Sequence, residues 1–596
     1  MKQNAVPGDK NKPVYVLGIS GKYNQGGGGG DAHHPAVALL KDGEIVAMES
    51  EERFVRVKHA IGHFPVNAIN FCLNFAGITC EDLSAVAWAN DPYLAVERWI
   101  KANNTTVKKA AYGVVKKLNS SAGSLKKGLR IFDQTLKPWE EEENEKSGFR
   151  DKLRFDIDKI PFFRVDHHLS HAASAYYASG FAEATVITWD GSGDGLTGSV
   201  SHGRNGELEV LDQFTDFSIG EFYWAIHRFL KLSDEGSLMG LAGYGTPQGI
   251  FNEIADPSRL YMDLTQVSRA AVSESSMGYV SNLVKLLGPP RLPDEPLEER
   301  HKNLAADLQK LVEDFGFEVL KRAVKKTGCR NVVFAGGVAL NATMNGKIAR
   351  SELVDKIFVQ PEAGDAGGSL GAAFIGYKQL GHELMPKEME HAYWGIEYSD
   401  EEIEKAFKIT KIKYEKLSRE ALIEEVASLL ADKKIVGWFQ GRSEWGPRAL
   451  GARSILADPR DREMLAEVNA AVKYRDGWRP FAPSILEEVA GDYMEEIVYA
   501  PFMIMTFPVK EEKKKDIPAV VHVDGTTRPQ MVRRSVNPLY YDMIKRFGEK
   551  TGVPIVMNTS FNLKGEPIVN SPRDAIRTFF SSGLDVLAVG NFIVRK

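Results

Sequence analysis

"ATVITWDGSGDG", residues 184–195, carries the pattern on which the fold reading turns. The β-branched and aromatic residues from Thr185 to Trp189 read as a strand. The glycines that follow place Asp190 and Asp194 in a turn. Two later stretches repeat this grammar, "NVVFAGGVALNATMNG" from Asn331 and "KIFVQPEAGDAGGSLGAAFIG" from Lys356. Both run from a strand through a glycine-rich turn into small residues of helical character. Open α/β sheets bind ligands where loops leave the carboxyl ends of their strands, so three such loops predict one shared nucleotide crevice.

Working outward, "VYVLGIS" from Val14 predicts a strand, and "AVALLKDGEIVAMES" predicts a β-hairpin about Asp42-Gly43. A helix is expected near "FPVNAINFCLNFAGI". From 99 to 154 the chain turns to lysine pairs, Asn, Ser and the acidic run "EEEENEK", which predicts an amphipathic, solvent-facing helical insertion. "PKEMEHAYWGIE" reads as a linker, and "YSDEEIEKAFK" opens a second domain with Ser399 as N-cap. The expected domains are residues 1–390 and 398–596, with the last residues folding back on the first domain.

The 596 residues are 43% apolar and 26% charged, as in an ordinary soluble globular protein. A net charge of −5 offers no general attraction to nucleic acid or anionic lipid. Only Cys72, Cys80 and Cys329 occur, which excludes a disulfide framework or a cysteine metal cluster and points to a reducing cytoplasm. The polar N-terminus lacks the apolar core of a signal peptide, and no apolar run is long enough to span a bilayer.

"DHHLSHAASA", residues 166–175, puts His167 and His171 on one face of a helix. The pattern alone fits either two hydrogen-bonded histidines or a metal pair. A metal needs a carboxylate as well, for which Asp365 in the loop "EAGDAGGSLG" is the best candidate. Such a set suits Fe(II), with Zn(II) or Mn(II) also fitting. His168 points to another helix face and is expected to be structural. In "FAGGVALN", Gly336, Gly337 and Asn341 form a phosphate or ribose cradle, and Asp190 can orient a metal or water. His33, at a strand mouth, can act as a general base. In the second half, Arg442, Arg448, Arg453, Arg460, Lys473, Arg475, Arg479 and Arg528 stand among glycines and prolines, with Asn558, Ser560 and Asn562 nearby. Broken helical periodicity there argues for guanidinium forks converging on a polyanion, such as ATP with a second phosphorylated compound. No Walker sequence is present, so an ordinary P-loop is excluded.

Nine motifs in order resemble the O-carbamoyltransferases of the nodulation-protein-U and cephamycin type. They are "EERFVRVKH", "DHHLSHAASA", "WDGSGDG", "GSLMGLAGYG", "FAGGVALN", "GDAGGSLGAA", "GPRALGARSIL", "VKYRDGWRPFAPSI" and "NTSFNLKGEP". The resemblance implies an α/β protein. Its N-terminal domain would be actin-like (the ASKHA superfamily), similar to the threonylcarbamoyl transferase of tRNA, and its C-terminal α/β domain YrdC-like. It implies that the second domain makes carbamoyladenylate from carbamoyl phosphate and ATP. The first then passes the carbamoyl group to a hydroxyl of a small-molecule natural product, releasing AMP. By that resemblance His167, His171 and Asp365 match Fe(II) ligands, and His33 matches the acceptor base. Lys58 and Asp190 match groups near the adenylate. Arg448, Lys473, Arg528 and Ser560 match the site for Mg-ATP and carbamoyl phosphate.

Three departures stand out. His34-Pro35-Ala36 replaces the usual Asp-Ala/Ser-Ser, Gly26–Gly30 suggests a flap over the acceptor, and Ser237 stands where lysine is usual. The rival readings are a tRNA threonylcarbamoyl-modifying enzyme and a non-catalytic actin-like ATP-binding protein. Nucleic acid and membrane partners are not expected; a homodimer is, by base rate.

Overall fold

Two five-stranded sheets with one connectivity form the N-terminal half of the computed structural model, which describes residues 12–21, 34–103, 133–215, 217–262, 278–293, 295–475 and 477–596. The first sheet contains β1 (Tyr15–Ser20), β2 (Ala36–Lys41), β3 (Glu44–Ser50), β4 (Ala85–Trp88) and β5 (Phe162–Arg164), in the order β3-β2-β1-β4-β5. The hairpin pairs β1, β2 and β3 antiparallel, while β4 and β5 add on in parallel. The second sheet repeats this with β6 (Glu183–Gly193), β7 (Leu196–Arg204), β8 (Glu207–Phe214), β11 (Asn331–Ala335) and β12 (Lys356–Val359), in the order β8-β7-β6-β11-β12. Here too the first three strands are antiparallel and the last two parallel. This duplicated sheet is an α/β arrangement of the kind the strand-and-glycine-loop pattern predicts, and it agrees with the actin-like N-terminal domain that the family resemblance implies. A ribbon of β9 (Ala255–Asp256) and β10 (Tyr261–Met262) lies between the two parts of the second sheet in the chain.

The C-terminal half is a mixed eight-stranded sheet, also α/β. Its strands are β13 (Glu415–Lys416), β14 (Val436–Phe439), β15 (Arg453–Ala457), β16 (Ala482–Leu486), β19 (Gln530–Val532), β20 (Ile555–Ser560), β21 (Val586–Val589) and β22 (Phe592–Arg595). They run in the order β13-β22-β21-β14-β15-β20-β16-β19, and β17 (Phe507–Pro508) with β18 (Thr526–Thr527) makes a separate ribbon. Ser399 caps the helix Asp400–Thr410, its hydroxyl accepting from Glu402 N–H while the Glu402 carboxylate accepts from Ser399 N–H. The last residues do not return to the first half: β22 pairs with β13 and β21, because Phe592 and Val594 join the core on one face of that sheet and Ile593 the core on the other.

Two further expectations change. Asp190 lies within β6 rather than in the turn, since the strand continues through a register shift to Gly193. The insertion is not wholly solvent-facing. Of its helix Asp133–Leu153, Phe149 is fully buried and meets Phe64 at a ring distance of 5.4 Å. Burial of such a ring contributes on the order of 1.5–3 kcal/mol. Glu145 is buried against Arg164.

The halves are fastened at Arg53, which is 3% exposed. Its guanidinium donates to the carbonyls of Glu444 (2.6 Å) and Gly446 (2.8 Å) and lies 3.4 Å from Glu49.

Candidate active site

The helix His167–Tyr176 begins because Asp166 caps it, its carboxylate accepting from Leu169 N–H at 2.7 Å. Its small residues permit a second helix, Gly368–Gln379, to approach backbone to backbone. A Cβ on Gly371 would stand 1.7 Å from the Ser170 carbonyl oxygen, so only glycine fits. That contact carries the turn Asp365–Gly367, at the start of the second helix, to the two histidines. Gly193 similarly lets β6 pass the His167 ring, where a Cβ would be 2.1 Å away.

Four donors meet there. His167 Nε2 and His171 Nε2 are 3.1 Å apart, and Asp190 Oδ2 is 3.1 and 3.2 Å from them. Asp365 Oδ1 stands 3.8 and 3.7 Å from the same nitrogens. The candidate ligand atoms all lie within 4.8 Å of one another, and two imidazoles with two carboxylates are a donor set that suits a divalent transition metal. The residues therefore fit a metal ion. Gly191 N–H (2.7 Å) and Gly337 N–H (3.2 Å) both donate to Asp190 Oδ1, which leaves Oδ2 aimed at the histidines. Burial disfavours the His171 imidazolium, yet hydrogen bonds to Asp190 and Asp365 outweigh it and raise its pKa to about 9. His168 is pushed down to about 3 by burial and by His167 and His171, and its Nδ1 meets the Thr188 hydroxyl at 3.0 Å, a structural place.

Around this centre, Gly336 N–H donates to the Ala363 carbonyl (2.7 Å), tying the two glycine loops together. Asn341 does not join the cradle. It caps the helix Ala342–Ala349 and pairs amide to amide with Gln309, at 2.9 and 3.0 Å. Lys58 is exposed at the turn that carries His59. His33 and Gly26–Gly30 lie outside the described residues. His34 is placed beside the centre, its Nδ1 3.9 Å from Asp365 Oδ2 and its Nε2 2.7 Å from His59 Nδ1. Glu362, which no motif singled out, is lifted by burial to about 7 against the opposing charge of His34.

In the C-terminal half, Lys473 is buried and donates to Ser560 Oγ (3.1 Å), Asn562 Oδ1 (2.8 Å) and the carbonyls of Ser560 and Asn562. Burial, with Arg475 and Arg479 alongside, pushes its ammonium well below the usual lysine range. Arg528 is pushed down in the same way, by burial and then by Arg448, Arg475 and Arg479. These five cations form one cluster suited to an anion. Asn558 is not part of it: its amide donates to Ala449, Ser484 and Gln530 inside the sheet. Arg442, Arg453 and Arg460 are also elsewhere. Arg442 donates to the carbonyls of Val46, Trp394 and Gly395, and Arg453 lies 3.7 Å over the Phe439 ring. Arg460 pairs with Asp458. Arg479 keeps its place in the cluster, but its fork is engaged by Asp234 of the first half, at 2.9 Å on both oxygens.

The family models for the N-terminus and C-terminus of carbamoyltransferases match residues 28–374 and 427–596. An uncharacterised protein of Synechocystis is 35% identical over 98% of this chain and 97% of its own. The nodulation protein NolNO of Sinorhizobium fredii is 36% identical over 95% of this chain and 79% of its own. The 3'-hydroxymethylcephem-O-carbamoyltransferase of Amycolatopsis lactamdurans is 28% identical, over 74% and 81%. One family model spans the four-donor centre and the other the cluster around Lys473, so the chain belongs to the carbamoyltransferase family and is an enzyme that transfers carbamoyl groups.

Proposed function

We propose that the protein is an ATP-dependent O-carbamoyltransferase acting on a hydroxyl of a small-molecule natural product. The observation that carries this reading is the pairing, in one chain, of a two-histidine, two-carboxylate centre with a separate cluster of five cations around the buried Lys473. Carbamoyl phosphate is hydrolysed to carbamate and phosphate in the C-terminal half. A carbamate oxygen then attacks the α-phosphorus of ATP, and pyrophosphate leaves. Lys473, Arg448, Arg528 and Arg479 bind and orient the phosphates, with Ser560 and Asn562 holding the Lys473 ammonium in place.

In the N-terminal half, His167, His171, Asp190 and Asp365 would hold a divalent ion, Fe(II) in our reading, which supplies Lewis-acid polarisation when bound. Gly336 and Gly337 let the adenylate approach the loops closely. The acceptor oxygen forms a bond to the carbamoyl carbon, the bond to the AMP phosphate oxygen breaks, and His33 takes the hydroxyl proton. Keeping both steps in one chain limits hydrolysis of the adenylate. Mg-ATP, carbamoyl phosphate and an alcohol are thus the partners, with no nucleic acid, in a cytoplasmic setting, and with a homodimer as the expected assembly.

The test is exchange of labelled pyrophosphate into ATP, with carbamoyl phosphate present, alongside mass spectrometry of candidate alcohols. Wild type should do both, and His33→Asn should retain exchange but leave the alcohols unmodified. Normal modification by that variant would remove the base assignment, and absence of exchange in wild type would remove the adenylate.

A further inference from the structure

Asp234 is an acid from the N-terminal half set among the cations of the C-terminal half. Its two oxygens accept from both terminal nitrogens of Arg479 at 2.9 Å, and Ser233 Oγ accepts a third bond from that fork at 2.9 Å. It also opposes the charge of the half-buried Arg448. The same carboxylate caps the helix Glu235–Ala242, accepting from Ser237 N–H (2.8 Å) and the Ser237 hydroxyl (3.1 Å). That helix and the turn after it rest on the second half: the Gly240 carbonyl meets His522 Nε2 at 3.0 Å, and Tyr244 donates to the Trp478 carbonyl at 3.2 Å.

We propose that Asp234 is a positioning residue acting through Arg479, a resident counter-anion that a bound polyphosphate displaces. Filling the basic pocket then loosens the helix Glu235–Ala242 in the other half. The physical reason is charge. Arg448, Lys473, Arg475, Arg479 and Arg528 repel one another, and one carboxylate offsets only part of that repulsion. A polyphosphate supplies several negative charges, competes for the same fork, and repels the carboxylate already there. Because Asp234 holds both Arg479 and the helix start, it cannot leave one without disturbing the other. This rests on reading the pocket as a polyphosphate site.

The experiment is hydrogen exchange of residues 235–245 in the full chain with and without ATP, together with calorimetric titration of ATP and of inorganic pyrophosphate. ATP should raise exchange in this segment of the wild type. Asp234→Asn should show raised exchange without ligand, no further rise with ATP, and ATP binding about five- to tenfold tighter. Asp234→Glu should restore the response. Ser237→Ala, which removes a cap contact but keeps the pair with Arg479, should leave ATP affinity unchanged, separating displacement from simple helix fraying. ATP binding to wild type with unchanged or lowered exchange at 235–245, or weaker binding by Asp234→Asn, would overturn the displacement. No binding of either probe to wild type would overturn the pocket reading along with it.

Discussion

Gly371 lies so close to the carbonyl of Ser170 that an added methyl carbon would stand 1.7 Å from that oxygen. This close approach lies where the helix bearing both imidazoles packs on the helix that follows Asp365. Gly371→Ala is therefore expected to separate them. The cost should be on the order of 1–3 kcal/mol, the range for overpacking a close contact. Thermal denaturation would read the loss of stability, and elemental analysis of the purified variant would read a lowered metal content.

Asp190 is the carboxylate nearest both histidines, and two backbone amides fix its orientation. Asp190→Asn should weaken metal binding by at least about tenfold, as the loss of an oriented carboxylate does at other sites. His171→Ala should abolish it. Metal titration followed by equilibrium dialysis checks both. Unchanged affinity in Asp190→Asn would mean that Asp365 and the imidazoles suffice.

Lys473→Ala should abolish the exchange of pyrophosphate into ATP while leaving the metal content at the wild-type level. The ammonium sits in the basic cluster, and among the described residues its hydrogen bonds go to Ser560 and Asn562, not to the four-donor centre. An exchange rate within twofold of wild type (~0.4 kcal/mol in barrier) would take Lys473 out of the adenylating step.

ATP affinity should fall as pH rises. Burial holds the Lys473 pKa well below the ordinary lysine value, so the free pocket loses that positive charge earlier in a titration than an exposed lysine would. Phosphate binding favours the charged form, hence proton uptake accompanies binding above that pKa. Calorimetric titration of ATP over a pH series, in buffers of different ionisation heat, would show both the fall in affinity and the uptake. In Lys473→Ala the dependence should vanish.

How much of this could be read from residue order follows from where information is local. Strand-then-glycine patterns at 184–195, 331–346 and 356–376 depend on neighbours in the chain, and all three strands appear, together in one sheet. The histidine pair was legible for the same reason. The partners of Asn341 and Asn558 were not legible, because a polar residue at the end of a strand can turn either way. Here one became a helix cap and the other joined a hydrogen-bond network within the sheet. Asp190 was legible as a functional acid, though its distance to the histidines depends on the pairing of β6 with β7 through a bulge. Asp234 lay outside every motif, and Glu362, at the head of the loop that carries Asp365, was given no role of its own. Their neighbours come from the other half or from distant loops, and such pairings leave no trace in spacing along the chain.

The clasp at Arg53 bears on how the two halves can exist. That guanidinium is sunk almost completely and satisfied by carbonyls of the loop at 444–446. Severed at the linker, the first half would lose both carbonyl acceptors of that guanidinium and open to water the surface that the loop at 444–446 now covers, leaving Glu49 as its partner. The two pieces are thus matched to each other through main-chain atoms. An exchange of C-terminal halves would have to preserve the backbone path past Gly446, whatever side chains it changed.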